Sequence, residues 1–321
     1  MSHPQYPIYI VSKGRHDTML TSRALSRLKV YHNIVIEPQD KENYEKALDH
    51  FQIRKWVRLL VAPFSNHGDG PGRARNWAWD HSMEEGHKTH WVMDDNIQRF
   101  YRLNKNRRSP VETGAMFRAM EDFCNRYENI MMAGPGYKFF FAGAEKYPAY
   151  RTNNRIYSCN MIRNHCPYRW RGRYNEDTIL SLDILKAGYC TIQFCAFLQD
   201  KMPTQTVKGG NTDEFYWKEK GFDEKSGVAI QSEEVMKFNS AHANPEGTKA
   251  KSQMLVDLFP NDAELVWKYG RWHHHVNYDP YKRNKLVFRK DFVMPTGTDE
   301  YGMKLKLHTQ QEMDELNSKY K

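Results

Sequence analysis

The 321-residue chain has no apolar run approaching the roughly 18 residues that a membrane-spanning helix requires. The segment from Met1 to Pro7 has neither the basic stretch nor the apolar core of a secretory signal, so no signal peptide is expected. Cysteine is scarce: Cys124, Cys159, Cys166, Cys190 and Cys195 are odd in number and show no CxxC spacing. That argues against a disulfide framework or a cysteine zinc site, and for reduced thiols in a cytosolic compartment. Two phosphate-binding signatures are missing too. No GxGxxG follows the first strand-like run, which weakens a NAD-type Rossmann reading, and no Gly-Lys-Ser/Thr completes a Walker A loop. Acidic residues vanish between Glu145 and Glu176. Internal repeats and low-complexity tracts are also absent.

What is present suffices for a sizeable core. Hydrophobic residues make up 40% and aromatics 13%, which excludes global disorder. Lys and Arg outnumber Asp and Glu by 48 to 39, a net charge of +9. Such a balance favours an anionic partner, whether nucleic acid, nucleotide or anionic surface, without choosing among them.

Apolar runs at 7–12, 33–37 and 57–62 read as buried strands, separated by helical patterns around Leu20–Leu28 and over Lys41–Phe51. Strand, helix, strand, helix, strand is the signature of a parallel sheet with right-handed crossovers. Lys13 and Arg15 flank Gly14 just past the first strand, where a solvated turn and an anion site account for them equally well. Glu37 ends the second strand, a place to read a base or ribose. The glycines Gly68, Gly70 and Gly72 precede a helix that carries Arg75 and Asn76. They serve either a flexible connection or a backbone approach to phosphate, with Arg75 as a charged donor.

The next strand, 89–96, ends on Asp94, Asp95 and Asn96. Ligands of open α/β sheets sit at the carboxyl ends of strands. Adjacent carboxylates there repel unless a cation or hydrogen bonds compensate, and hard oxygens suit Mg²⁺ or Mn²⁺. An acidic turn explains the same letters. Further on, a helix bearing Met116, Met120 and Phe123 leads to strand-like runs at 130–133 and 139–142. The acid-free stretch then holds Arg163, Arg169, Arg171 and Arg173, with Tyr168, Trp170 and Tyr174 interleaved. Arginines for phosphates and aromatics for bases make it a candidate nucleic-acid surface, with a solvated basic loop as the alternative. Asn175, Glu176 and Asp177 start another helix, where acidic residues also simply suit the helix dipole. A strand over 189–198, a loop containing Gly209, Gly210 and Asn211, and the run His273, His274, His275 follow. On a strand, three consecutive histidines cannot all reach one ion.

Taken together, the order of these motifs resembles a GT-A nucleotide-sugar glycosyltransferase. Asp94-Asp95-Asn96 is similar to its metal-binding DxD motif and Asn175-Glu176-Asp177 to its xED motif. More closely, the strings at 10–15, 74–76, 91–96, 170–178 and 208–212 resemble the TET-associated glycosyltransferases of bacteriophages. The resemblance spans roughly 7–278. It implies a Rossmann-related, mostly parallel GT-A-like sheet flanked by helices over 1–278, with a small C-terminal extension over 279–321. It also implies transfer of a sugar, UDP-linked in the leading reading, to hydroxymethylated pyrimidines of the 5-hydroxymethylcytosine kind in DNA, in the cytoplasm of an infected bacterial host.

The implied roles are as follows. Asp177 is the base, with Glu176 beside it. Lys13, Arg15, Glu37, Arg75, Asn76, Asp94, Gly209, Gly210 and Asn211 bind the donor. Asp94, Asp95, Asn96 and His274 hold Mn²⁺ or Mg²⁺. Arg163, Arg169, Trp170, Arg171 and Arg173 meet DNA. One departure stands out: Asn96 occupies a place where DxD enzymes often carry a carboxylate. A transferase for glycans or proteins, a nucleotidyltransferase and a non-enzymatic DNA-binding module remain as alternatives. The oligomeric state is open, with a monomer favoured.

Overall fold

The computed structural model describes residues 3–104, 107–141, 147–202, 245–268, 271–293 and 310–318. The first half alternates as expected: β1 (Ile8–Val11), α1 (Leu20–Arg27), β2 (His32–Ile36), α2 (Lys41–His50), β3 (Val57–Val61), α3 (Gly72–Glu84) and β4 (Thr89–Asp94). A basic hairpin, β5 (Ile97–Asn104) with β6 (Arg107–Pro110), precedes α4 (Ala115–Cys124). Then come β7 (Ile130–Tyr137), β8 (Tyr150–Thr152), β9 (Cys159–Arg163), α5 (Glu176–Lys186) and β10 (Cys190–Lys201). Beyond them lie α6 (Pro245–Leu258), the hairpin β11 (Ala263–Lys268) and β12 (Arg271–Val276), and α7 (Gln310–Ser318).

Ten strands form one sheet in the order β3-β2-β1-β4-β9-β7-β10-β5-β6, with β8 also on β10. β1 to β4, β7 and β10 share one direction, while β9, β5 and β8 run against them. This is the expected GT-A-like, mostly parallel α/β arrangement. β10 serves two partners in succession: a register shift between Phe194 and Leu198 lets its first half pair with β8 and its second with β5.

Period-two alternation places the core on both faces of the sheet. Trp91 and Met93 of β4 pack with Ile8, Ile10, Leu25, Leu48 and Phe117, against α1, α2 and α4. Val92 points the other way, onto Trp79 of α3 and Leu180 and Ile184 of α5. Such burial on both faces is why the strands read as continuous apolar runs.

One expectation needs revision. The described part of the run 139–142, residues 139–141, is not a strand. Lys138–Phe140 is a 3₁₀ turn closed by Phe141 N–H on the Lys138 carbonyl, and Phe139 and Phe140 are 78% and 58% exposed. Phe141 alone of the three is buried, against Cys195 and Leu198, while Phe139 and Phe140 pack on Tyr137 at the surface, so three consecutive phenylalanines gave a strand-like pattern without a strand's burial. The described residues just after 278 pack on the preceding part of the chain. Tyr281 is buried and its hydroxyl donates to Asp262 at 2.5 Å, while Phe288 bridges to Tyr127.

All five cysteines are buried and unpaired. Burial pushes the thiols of Cys166, Cys190 and Cys195 up to about 11 and that of Cys124 to about 12.

Two buried histidines set an acid limit. His32 sits between the Val30 carbonyl (2.9 Å) and the Ser22 hydroxyl (2.7 Å), and His90 meets Asn164 Oδ1 at 2.6 Å. Burial lowers both pKa values to about 4. The unfolded chain, with imidazoles near 6.5, therefore binds more protons between about pH 4 and 6.5. Stability is full above 6.5 and falls as the pH drops through that window. At pH 5 the two groups together cost about 4 kcal/mol. Urea unfolding at pH 7 and pH 5 measures it, and His90→Gln should remove about 2 kcal/mol of the difference between the two pH values.

Candidate active site at the carboxyl edge of the sheet

The parallel pairing of β1 with β4 sets Val11 opposite Asp94, so the loop from Ser12 to Arg15 lies beside Asp94, Asp95 and Asn96. Asp95 is buried. It accepts from the Ser12 hydroxyl at 2.6 Å on Oδ2 and pairs with the Arg15 guanidinium on Oδ1. Thr21, in the first turn of α1, locks the turn from the other side. Its hydroxyl donates to the Asp94 carbonyl at 2.7 Å and accepts from the Ile97 N–H at 2.8 Å.

The centre of the site is Arg75, buried in the first turn of α3. Nη2 donates to Asp94 Oδ1 at 2.6 Å and lies 3.2 Å from Glu176 Oε1, while Nη1 donates to Asp177 Oδ1 at 2.5 Å. The indole of Trp170 lies under the guanidinium, 4.5 Å from ring centre to Cζ. Burial works against the charge of Arg75, but Asp177, Glu176 and Asp94 outweigh it and keep it protonated. A planar fork with several donors is what lets one cation serve three carboxylates.

Those carboxylates are not equivalent. Burial opposes ionisation of Asp94, yet Arg75 and Lys201 hold its pKa below the ordinary value. Burial raises Glu176 despite Arg75, helped by the neighbouring charges of Asp177 and Asp94. Asp177 is pinned by three donors: Arg75 and Asn160 Nδ2 (3.1 Å) on Oδ1, and the Ser158 N–H (3.1 Å) on Oδ2. A carboxylate has about four lone-pair sites, so Oδ2 retains one for a further proton donor.

The sheet edge supplies another cation. Lys201, at the end of β10, donates to the Ser158 hydroxyl at 2.7 Å and lies 3.5 Å from Asp94 Oδ2. For a divalent ion, two acceptors are candidates. These are Asp94 Oδ2, loosely met by Lys201, and Asn96 Oδ1, which is buried without a hydrogen-bond partner. No cluster of three His, Cys, Asp or Glu able to hold a metal occurs among the described residues. One or two protein oxygens completed by substrate phosphates is the usual Mg²⁺ arrangement, so this donor set fits an ion that arrives with a diphosphate. His274 lines a second cavity with Arg155 and Tyr157, and burial together with Arg155 and Lys251 lowers its pKa to about 3.

The remaining candidates divide. Lys13 Nζ lies 3.4 Å from Glu37, whose Oε2 also accepts from the Asn66 N–H at 2.9 Å, and both stand at the same edge as Asp95. Asn76 instead clasps the backbone of Trp170, donating to its carbonyl at 2.8 Å and accepting from its N–H at 3.0 Å. Gly70 has φ +84°, and a Cβ there would stand 2.5 Å from the Arg173 carbonyl. Its role in this structure is close packing of loop on loop. Gly209, Gly210 and Asn211 lie outside the described residues.

Two members of the basic, aromatic stretch, Arg163 and Trp170, are buried in the fold rather than displayed, and two more are ion-paired. Arg163 is buried, donating to Thr89, Asn125 and the Cys124 carbonyl. Trp170 is buried beneath Arg75. Arg171 makes a bidentate pair with Asp183 at 2.8 and 2.9 Å, and Arg169 pairs with Asp80 at 3.0 Å. Together with Arg173, Arg171 and Trp170 line a cleft of about 810 Å³ beside α3.

Sequence reading missed Ser12, Thr21, Ser158, Asn160 and Lys201. Lys201 had a usable signal. The last strand was read as ending at Leu198, and extending it by three residues places a cation at the carboxyl edge. For the others, a single hydroxyl or amide carries no pattern.

No curated relative matches the chain. A family model described as TET-Associated Glycosyltransferase, however, matches residues 6–210, from just before β1 to past the end of β10. Because that span is well over half of the sequence and carries Arg75, Asp94, Asp177 and Lys201 with the sheet that positions them, the chain belongs to the TET-associated glycosyltransferases.

Proposed function

We propose that the protein moves a sugar from a UDP-linked donor to the hydroxymethyl oxygen of a 5-hydroxymethylcytosine-type base in DNA, with inversion at the anomeric carbon. The observation that supports this best is the single buried arginine clasping Asp94 on β4 and Glu176 and Asp177 on α5. It fixes a donor-side carboxylate and an acceptor-side carboxylate relative to each other at the sheet edge where α/β proteins bind ligands.

On this reading Lys13, Glu37, Arg15 and Asp94 hold the nucleotide. Asp177 Oδ2 takes the proton from the acceptor hydroxyl as its oxygen bonds to the anomeric carbon and the diphosphate leaves with the electron pair of the broken C–O bond. Separating the base from the leaving group across the sugar gives inversion. Asp94 Oδ2 and Asn96 Oδ1 would hold Mn²⁺ or Mg²⁺, which neutralises charge on the leaving diphosphate. A base inside a duplex is out of reach, so the acceptor is flipped or single-stranded, at a cost of a few kcal/mol of unstacking.

The test is incubation with hydroxymethylcytosine DNA, Mn²⁺ and a panel of nucleotide sugars, followed by nucleoside mass spectrometry. A hexose-sized mass increase on the modified nucleoside is expected. Transfer only to glycan or protein acceptors, formation of a nucleotide sugar from a triphosphate, or DNA binding without turnover would each replace this reading with the corresponding alternative.

A further inference from the structure

We infer that a second cavity, between β8, β10 and β12, seats the acceptor nucleotide, with its base against Tyr157 and Phe140 and its phosphates on Arg151 and Arg155. The inference rests on the DNA-acceptor reading and adds the surface that recognises it.

The cavity measures about 310 Å³ and is lined by Phe140, Arg151, Arg155, Tyr157, His274 and Tyr278, among others. That is within the range of small-molecule sites. It adjoins the proposed base. Tyr157 lines the cavity, and the next residue, Ser158, donates its N–H to Asp177. Gln199 holds the Tyr157 carbonyl at 2.7 Å, so the junction between cavity and carboxylate is fixed by the sheet.

Its chemistry suits a flat anionic ligand. Arg151 and Arg155 have no carboxylate partner among the described residues, and Arg155 lies over the Tyr157 ring at 4.4 Å. Arg169 and Arg171, by contrast, are already paired with Asp80 and Asp183, so a phosphate there has to displace a carboxylate. His274 Nδ1 and the Tyr278 hydroxyl are buried with no hydrogen-bond partner. Unsatisfied buried polar atoms are uncommon and ask for a ligand or water. A neutral imidazole both donates and accepts, as the polar edge of a base does. Phe140 lines the cavity and is 58% exposed, apolar surface of the sort that wedges between stacked bases.

The test uses the full chain and a labelled single-stranded oligonucleotide carrying hydroxymethylcytosine, read by fluorescence anisotropy across a salt series. Arg155→Ala should lower affinity and reduce the slope of log K against log salt by about 0.7, one phosphate of single-stranded DNA. Phe140→Ala, on an exposed turn, should weaken binding about tenfold through lost stacking. Arg171→Ala should leave the slope unchanged, and calorimetric affinity for UDP should match wild type in all of these variants. Wild-type-like binding by both Arg155→Ala and Phe140→Ala, with the wild type binding DNA, overturns the cavity assignment alone. A slope change that follows Arg171 instead returns the interface to the 169–173 stretch. A wild type that ignores the oligonucleotide while transferring sugar elsewhere overturns the DNA reading and the cavity with it.

Discussion

Asp177→Asn should reduce single-turnover transfer by about 10²–10⁴-fold, the usual worth of a general base, with donor affinity close to wild type. The amide matches the carboxylate in size, and Arg75 and Asn160 still find an oxygen on one side. It cannot take a proton. Glu176→Gln should cost distinctly less, because Glu176 touches the site through a 3.2 Å contact to Arg75 and is not held by the Ser158 and Asn160 donors that aim Asp177. The burial-raised pKa of Glu176 nevertheless makes it the natural competitor for the role. Rapid-quench transfer with both variants separates the two. A slower enzyme from Glu176→Gln exchanges the roles, and near-normal transfer by both removes the pair from the chemistry.

Arg75→Met should be the most damaging single change to the site. It deletes the buried cation and leaves Asp94, Glu176 and Asp177 facing one another, with Lys201 3.5 Å from one of them. Breaking a buried pair from one side typically costs about 3–5 kcal/mol, because the remaining charge is buried uncompensated. The loss should grow with pH, since protonation relieves the repulsion and rising pH restores it. Chemical denaturation at pH 5 and pH 8 should therefore show a larger deficit at pH 8, with UDP binding lost at both. Arg75→Lys should recover only part, since an ammonium lacks the planar fork. A variant as stable as wild type at pH 8 contradicts the assigned charge balance.

The parallel half of the sheet was legible because burial leaves a repeating mark. Ile8, Ile10, Trp91 and Met93 face one core and Val92 the other, so the strands appear as apolar runs ending at charged residues. The acidic strand end and the helix start at 176–177 were legible for the same reason: charges that interrupt an apolar pattern stand out. Partnership was not legible. Arg75 reads as a free cation next to glycines, while its partners Asp94 and Asp177 lie 19 and 102 positions away. Arg163 and Arg171 likewise look like a basic surface until Asn125, the Cys124 carbonyl and Asp183 are brought to them. The run at 139–142 failed differently, since hydrophobicity alone does not say whether a ring is buried or displayed.

The burial of every native thiol makes the protein ready for site-directed spectroscopy. A thiol with a pKa near 11 is ionised to about one part in ten thousand at pH 7, whereas an exposed cysteine near 8.5 is ionised to a few per cent. Phe139 is 78% exposed next to Phe140, which lines the second cavity, so a cysteine introduced there would react with a maleimide fluorophore hundreds of times faster than the native five. One dye on an otherwise unaltered chain then becomes a reporter of what enters beside Tyr157, read as quenching without any turnover of sugar.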